Sequence, residues 1–289
     1  MNKIDFLCVG VQKAGTTTLH NVLGQHPQLC LPQKKETHFF SDEDIYNKGT
    51  SHYLKYFNDS KPYRFYGEVD PEYSYFVESA ERIFNTFGRI KIIFILRNPI
   101  DRAYSHYLMT KRRGLENLSF EEAMDKESYR INNKKDKMHY SYRSRGFYLE
   151  QLLTYEKYFG RENIKVLLFE EFIEKTKESV IDIANFIGLS DFEYEIEKVS
   201  NPASEPRFKK VQKFIHKDSK IKKSLGSLIG SKETKRRIAE YLESLNLKAS
   251  NKKKITESTR KNLYLTYYKK EVDNLERKFN LNLTVWKNL

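Results

Sequence analysis

Apolar and polar positions fall into two regimes along this chain: short, nearly unbroken apolar runs, and longer stretches with helical spacing. The runs Ile4–Val9, Ile90–Leu96 and Ile164–Phe169 predict buried strands, with a shorter one at Tyr66–Val69 ahead of an Asp70-Pro71 turn. Near-continuous apolar strands are typical of a parallel sheet covered by helices on both faces. Helical spacing is found from Thr16 to about Gly24 (ending before His26-Pro27), over Val77–Phe87, and from Asp101 to about Lys111. It returns over Gly146–Phe159 and Glu178–Ile187, where Gly188 serves as the cap. This alternation predicts an α/β fold of three layers, a central mostly parallel sheet flanked by helices. Residues 112–143 are polar, charged and rich in tyrosine, and are predicted to be an insertion covering the site. Beyond about Asn201 the strand signal fades, and short basic helices lead to an amphipathic helix over Thr256–Phe279. With no internal repeat or long low-complexity linker, the expectation is one domain over 1–289: an α/β core to about 200 and a basic helical extension over 201–289.

Composition narrows this little. At 289 residues, 39% hydrophobic and 31% charged, the chain is long enough for a sizeable core. It lacks the run of about 20 apolar residues that a membrane span needs. The first strand begins almost at once, leaving no room for a secretory signal, and two cysteines make no disulfide framework; a cytoplasmic setting is expected. Cys8 reads as a small apolar strand residue.

The net charge of +13 changes the picture more. Residues 206–261 hold 18 Lys or Arg against 5 Asp or Glu and so carry all of it. Solvated helix faces explain this, and so does an electropositive rim that draws in an anionic cofactor or an acidic polymer. No DNA- or RNA-binding motif accompanies the charge, and no nucleic-acid partner is expected.

The first chemical signal follows the first strand: Gly10-Val-Gln-Lys-Ala-Gly-Thr-Thr-Thr18. A strand that breaks into a glycine loop and then a helix aims successive N–H groups and a helix N-terminus at one anion. The common nucleotide-triphosphate loop reads G-x-x-x-x-G-K-[ST]. Gly10 and Gly15 keep that spacing, but Thr16 stands at the lysine position, and the loop's cation is Lys13. The expected ligand is a phosphate group other than the triphosphate–magnesium unit.

The second is Leu96-Arg-Asn-Pro-Ile-Asp-Arg-Ala-Tyr-Ser-His-Tyr107. Arg97 ends the strongest strand, at the carboxyl edge where doubly wound folds bind ligands. With Ser105 on the following helix it could hold a second phosphate; a local ion pair of Arg97 with Asp101 is the plainer alternative.

Together, GVQKAGTTTL and FILRNPIDRAYSHY resemble the two motifs by which sulfotransferases bind 3′-phosphoadenosine 5′-phosphosulfate (PAPS). Ser144-Arg-Gly-Phe-Tyr148 and the strand Ile164–Phe172 extend the likeness over roughly residues 4–190. It is most similar to the carbohydrate branch, including the heparan sulfate sulfotransferase domains and their bacterial relatives. The resemblance implies in-line sulfuryl transfer to a hydroxyl or amine, leaving 3′-phosphoadenosine 5′-phosphate (PAP), with no metal required. It implies that Lys13 bonds the oxygen bridging phosphate and sulfate. Ala14, Gly15, Thr16, Thr17 and Thr18 would hold the 5′-phosphate through backbone N–H groups and hydroxyls, and Arg97 and Ser105 the 3′-phosphate.

In Lys35-Glu-Thr-His-Phe-Phe40 the resemblance makes Glu36 the base on the acceptor, with His38 beside it. Read without the family, Glu36 is a surface carboxylate among lysines and His38 a core histidine. Relatives often carry an aspartate after the two aromatics, and here that position is Ser41. A third cofactor element, a loop closing over the 3′-phosphate, is assigned to Asn201–Lys210 with Arg207 as its cation.

For the acceptor, Tyr129, Tyr140 and Tyr142 offer faces that stack on sugar rings but also suit ordinary packing. A glycan hydroxyl is the expected acceptor, and a small lipid or polyketide-like alcohol the alternative. A P-loop kinase predicts a lysine at position 16 and an acidic magnesium ligand, which Thr16 and Arg97 oppose. A non-catalytic polyanion-binding protein explains the basic segment but not the two anion sites.

Overall fold

In the computed structural model, the described residues are 3–57, 63–196, 204–206, 208, 246–249 and 255–288. Five strands, β1 (Phe6–Gly10), β2 (Leu29–Cys30), β3 (Phe65–Val69), β4 (Lys91–Leu96) and β5 (Ile164–Leu168), form a wholly parallel sheet in the order β2-β3-β1-β4-β5. The strand order reverses at β1, which pairs Phe6 with Gly67 of β3 and with Lys91 of β4. In open α/β sheets the crevice beyond such a strand's carboxyl end is where ligands bind.

The chain folds this way because β1 and β4 are almost wholly apolar and, apart from the half-buried Lys91, fully covered. Their cover is a pair of helical layers. Helix α1 (Thr16–Leu23) packs with α11 (Thr176–Ile187), and α4 (Glu78–Phe87) with α9 (Tyr148–Phe159); α9 and α11 both reach β4. Gly188 ends α11 in the left-handed conformation, as its sequence position predicts. Cys8 lies within the sheet, where burial pushes its thiol up to about 12 and keeps it an inert apolar residue.

Several elements have weak sequence signals. Strand β2 is two residues long, and the short helices α2 (Glu43–Tyr46), α3 (Thr50–Leu54) and α10 (Phe169–Glu174) lack a full period. The segment expected to be helical from Gly146 begins with a 3-10 turn over Ser144–Gly146, and α9 starts only at Tyr148. The single C-terminal helix expected over Thr256–Phe279 is interrupted: α12 (Glu257–Leu263) passes through a π-helical turn, Tyr264–Tyr268, into α13 (Lys269–Phe279). One residue added per turn rotates the following apolar stripe and brings Tyr268 to full burial. A last short helix, α14 (Thr284–Lys287), buries Trp286.

Contacts divide the chain into two units. The first (Met1–Arg102, Arg145–Val199, Tyr267–Asn288) contains the sheet and its helices. The second comprises Ala103–Ser144 and Ser200–Thr266, with Leu289. Within it, helix α5 (Pro99–Arg112) continues from the first unit, and the 112–143 stretch forms α6 (Phe120–Asp125), α7 (Glu127–Arg130) and α8 (Lys134–Tyr140). Glu116 organises this unit by accepting from Arg130 Nη1 (2.8 Å), Tyr142 Oη (2.8 Å) and the N–H of Asn117 (2.9 Å). Tyr142 is thus a core phenol, while Tyr129 stands exposed. Beyond Asn201, where no strand was expected, Ser204–Pro206 and Leu247–Ala249 pair antiparallel. No helix among the described residues is long and apolar enough to cross a membrane.

Candidate active site

The loop after β1 is built for close approach. A Cβ on Gly10 would lie 2.6 Å from Ser74 Oγ, so only glycine lets the strand end pass that side chain. Gly15 caps α1 at φ 79°, and a Cβ there would press on Phe169 and Phe172 at 3.2 Å. No side chain caps α1. Its first N–H groups have no intrahelical acceptor, the arrangement by which helix N-termini bind anions. Ala14 and Thr16 are buried, Gly15 and Thr18 half-buried, and Thr17 exposed at the mouth. Lys13 lies within the turn at φ 74°.

Arg97 joins the two sequence motifs. Its Nη1 donates to the Lys13 carbonyl at 2.8 Å, and its guanidinium stacks over Phe169 at 4.5 Å. The Arg97 carbonyl in turn accepts from Tyr148 Oη at 2.8 Å. Asn98 starts α5 by accepting from the Ile100 N–H, and its own N–H donates to Glu170, which also holds Trp286 Nε1 at 3.0 Å. The β4–α5 corner is therefore fixed from two sides. Ser105 lies on α5 in the second unit. Arg207 lies outside the described residues.

The acceptor-side candidates sit on a strained turn beside β3. Glu36 and His38 both have left-handed backbones, φ 60° and 58°. Two carboxylates from the carboxyl end of β3 hold it there. Glu68 accepts the Thr37 N–H (2.8 Å) and the hydroxyls of Tyr53 (2.8 Å) and Tyr73 (3.0 Å). Asp70 accepts the His38 N–H at 2.7 Å and lies 3.1 Å from His38 Nδ1. Beneath the turn, Phe39 and Phe40 are fully buried among Tyr46, Tyr53 and Tyr73. The Glu36 side chain pairs with Lys35.

The charges are finely set. Burial opposes charge on His38, but the Asp70 carboxylate outweighs it, with help from Glu72 and Glu36, and lifts the imidazole to about 9. Burial likewise opposes charge on Asp70, yet the His38 cation and its backbone donors hold Asp70 below the usual carboxylate range. Glu68 is pushed up, by burial first and then by Asp70. On α1, burial and then Lys35 bring His20 down to about 4, so it stays neutral.

Sequence reasoning missed this acidic row. Glu68, Asp70 and Glu72 alternate along β3 and its exit, and a period of two in acidic residues at a buried strand end was the available signal. Glu72 accepts from Gln12 of the loop (2.8 Å) and from Arg145 (2.6 Å), both charges buried and Arg145 only 2% exposed. Arg145 also stacks on Tyr75 at 4.4 Å. The Ser144–Tyr148 segment thus supplies two braces: Arg145 to the β3 exit and Tyr148 to Arg97.

A glycine loop braced by an arginine from the neighbouring strand, with a carboxylate turn beside β3, lies at the carboxyl edge of the parallel sheet. The chain belongs to the sulfotransferase family: the Sulfotransferase domain matches residues 3–240. It is 29% identical to human heparan sulfate glucosamine 3-O-sulfotransferase 5 over 188 residues, 63% of this chain and 53% of that protein. Mouse bifunctional heparan sulfate N-deacetylase/N-sulfotransferase 4 is 37% identical over 111 residues, 35% of this chain and 12% of that protein. The chain thus spans about half the length of the first relative and far less of the second. A sulfotransferase from Alicyclobacillus acidocaldarius has the same fold, with a TM-score of 0.73 and 27% identity over 100% of both chains.

Proposed function

We propose that this sulfotransferase uses PAPS as donor and a glycan hydroxyl as acceptor, with Glu36 as base. The observation that carries the reading is the hydrogen bond from Arg97 to the Lys13 carbonyl, which holds the strand-end arginine against the glycine loop. The residues present suit such a donor. Gly10 and Gly15 let the loop pack closely against Ser74, Phe169 and Phe172, and the loop has lysine but no acidic residue. The donor supplies an activated sulfuryl group on a phosphate leaving group, and a second phosphate for which Arg97 and Ser105 are the proposed ligands.

Lys13 provides positive charge where the leaving group gains negative charge, and the N–H groups of Ala14 to Thr18 hold the 5′-phosphate. Glu36 accepts the acceptor's proton, which makes a weakly nucleophilic hydroxyl competent in the transition state. The glycan acceptor draws its support from the heparan sulfate relatives, one of which is named for its glucosamine acceptor.

Incubating the full chain with radiolabelled PAPS tests this, using an unsulfated glucosamine-containing polysaccharide and a long-chain alcohol as alternative acceptors. Label is expected on the polysaccharide. Transfer to the alcohol alone would overturn the glycan reading but keep the donor.

A further inference from the structure

The turn carrying Glu36 holds two side chains capable of accepting a proton, and the surrounding charges distinguish them. The Asp70 carboxylate is fully buried, whereas the His38 side chain is 29% exposed. One oxygen of Asp70, Oδ2, accepts the His38 N–H at 2.7 Å and lies at ion-pair distance, 3.1 Å, from Nδ1. The other, Oδ1, takes the Glu72 N–H at 3.1 Å, and the Asp70 N–H donates to the Cys8 carbonyl in β1. Asp70 is therefore fixed to the sheet, and His38 is fixed to Asp70. Nδ1 is buried on that side, so the ring's exposure lies on its other edge.

Resting on the sulfotransferase reading above, we propose that Asp70 is a positioning residue of the transfer reaction: it holds the Glu36–His38 turn in place and keeps His38 a cation beside Glu36. His38 then contributes fixed positive charge, and Glu36 alone takes the acceptor's proton.

An imidazolium has no lone pair with which to accept a proton, so its protonation state decides between the two candidates. The charged groups around the ring all favour the cation. Asp70 faces it from the β3 exit, together with Glu72, whose own charge is met by Arg145; Glu36 faces it on the same turn, paired with Lys35. Glu68, two residues before Asp70 on the same strand face, is taken up by Thr37, Tyr53 and Tyr73 instead. With its pKa lifted to about 9, His38 is held mostly as the cation at pH 7.

The linkage has a definite sign. A histidine raised above its unfolded value of about 6.5 contributes stability that is complete below that value and is lost as pH rises through the folded pKa. The wild type should therefore lose melting temperature from about pH 6.5 through about 9, and Asp70→Asn should lack that part of the loss.

The direct test is an NMR titration of the imidazole signals of the ligand-free full chain, with His38 assigned from His38→Gln. His38 should titrate near 9 in the wild type and at or below about 6.5 in Asp70→Asn. With PAPS and whichever acceptor the label assay identifies, kcat of Asp70→Asn should fall as pH rises through about 6.5 and partly recover below it; a merely structural defect would lower kcat alike at every pH. A wild-type His38 titrating at or below about 6.5 overturns the proposal without any variant, and so does an unshifted pH profile in Asp70→Asn. Failure of the donor reading has a separate signature: a wild type that binds no PAP while its His38 titration is normal.

Discussion

Replacing Lys13 by alanine should lower turnover by about 10²–10³ while leaving PAP affinity within a few-fold of the wild type. A donor aimed at charge that develops only in the transition state is worth more there than in the ground state, about 3–4 kcal/mol in comparable sites. Lys13 has the setting for this role. It sits inside the turn on a left-handed backbone, and its carbonyl is held by Arg97. Ground-state binding has other holders: the helix N-terminus and the N–H groups behind Gly15 remain in the variant. Single-turnover rates together with a PAP titration separate the two effects. Equal losses in both would make Lys13 a binding residue only.

The second large effect is expected at Glu36. Glu36→Gln should cut kcat by about 10²–10⁴ with PAP affinity unchanged, since the amide keeps the shape and loses the proton acceptor. The pairing of Glu36 with Lys35 does not stand in the way. Both side chains are part-exposed, and such pairs are typically worth only about 0–1 kcal/mol, so an arriving acceptor can displace the lysine. If kcat persisted in Glu36→Gln, the base would lie elsewhere, and His38, once freed of its proton, would be the next residue to test.

The parts of this site legible in the sequence are those with short-range signals. Gly10 and Gly15 show themselves by spacing, and Arg97 by ending the most apolar strand, because each is dictated by its immediate neighbours. The braces are long-range. Arg145 meets Glu72 across 73 positions, and Tyr148 meets the Arg97 carbonyl across 51. The Ser144–Tyr148 resemblance marked this segment without revealing what it touches. Asp70 shows the same limit from the other side: beside Pro71 it reads as a turn former, while its role comes from His38, 32 residues earlier.

Errors in the fold reading have equally local causes. The C-terminal amphipathic pattern reads as one helix because a π-helical turn changes the phase of a stripe without removing it. Strand β1 extends to Gly10 through an irregularity after Cys8 that lets Gly10 pair with Phe94, where glycine alone suggested the strand had ended. Breaking the buried Arg145–Glu72 pair by truncating one partner would leave an uncompensated charge, a change of about 3–5 kcal/mol, so the β3 exit depends on a contact no local pattern encodes.

The donor is the centre of the account, and calorimetric titration of the full chain with PAP tests it most directly, with adenosine 5′-phosphate and magnesium-ATP as controls. Micromolar binding that requires the 3′-phosphate and is indifferent to magnesium is the predicted result. Preference for magnesium-ATP over PAP would contradict it and make the loop a nucleotide-triphosphate site.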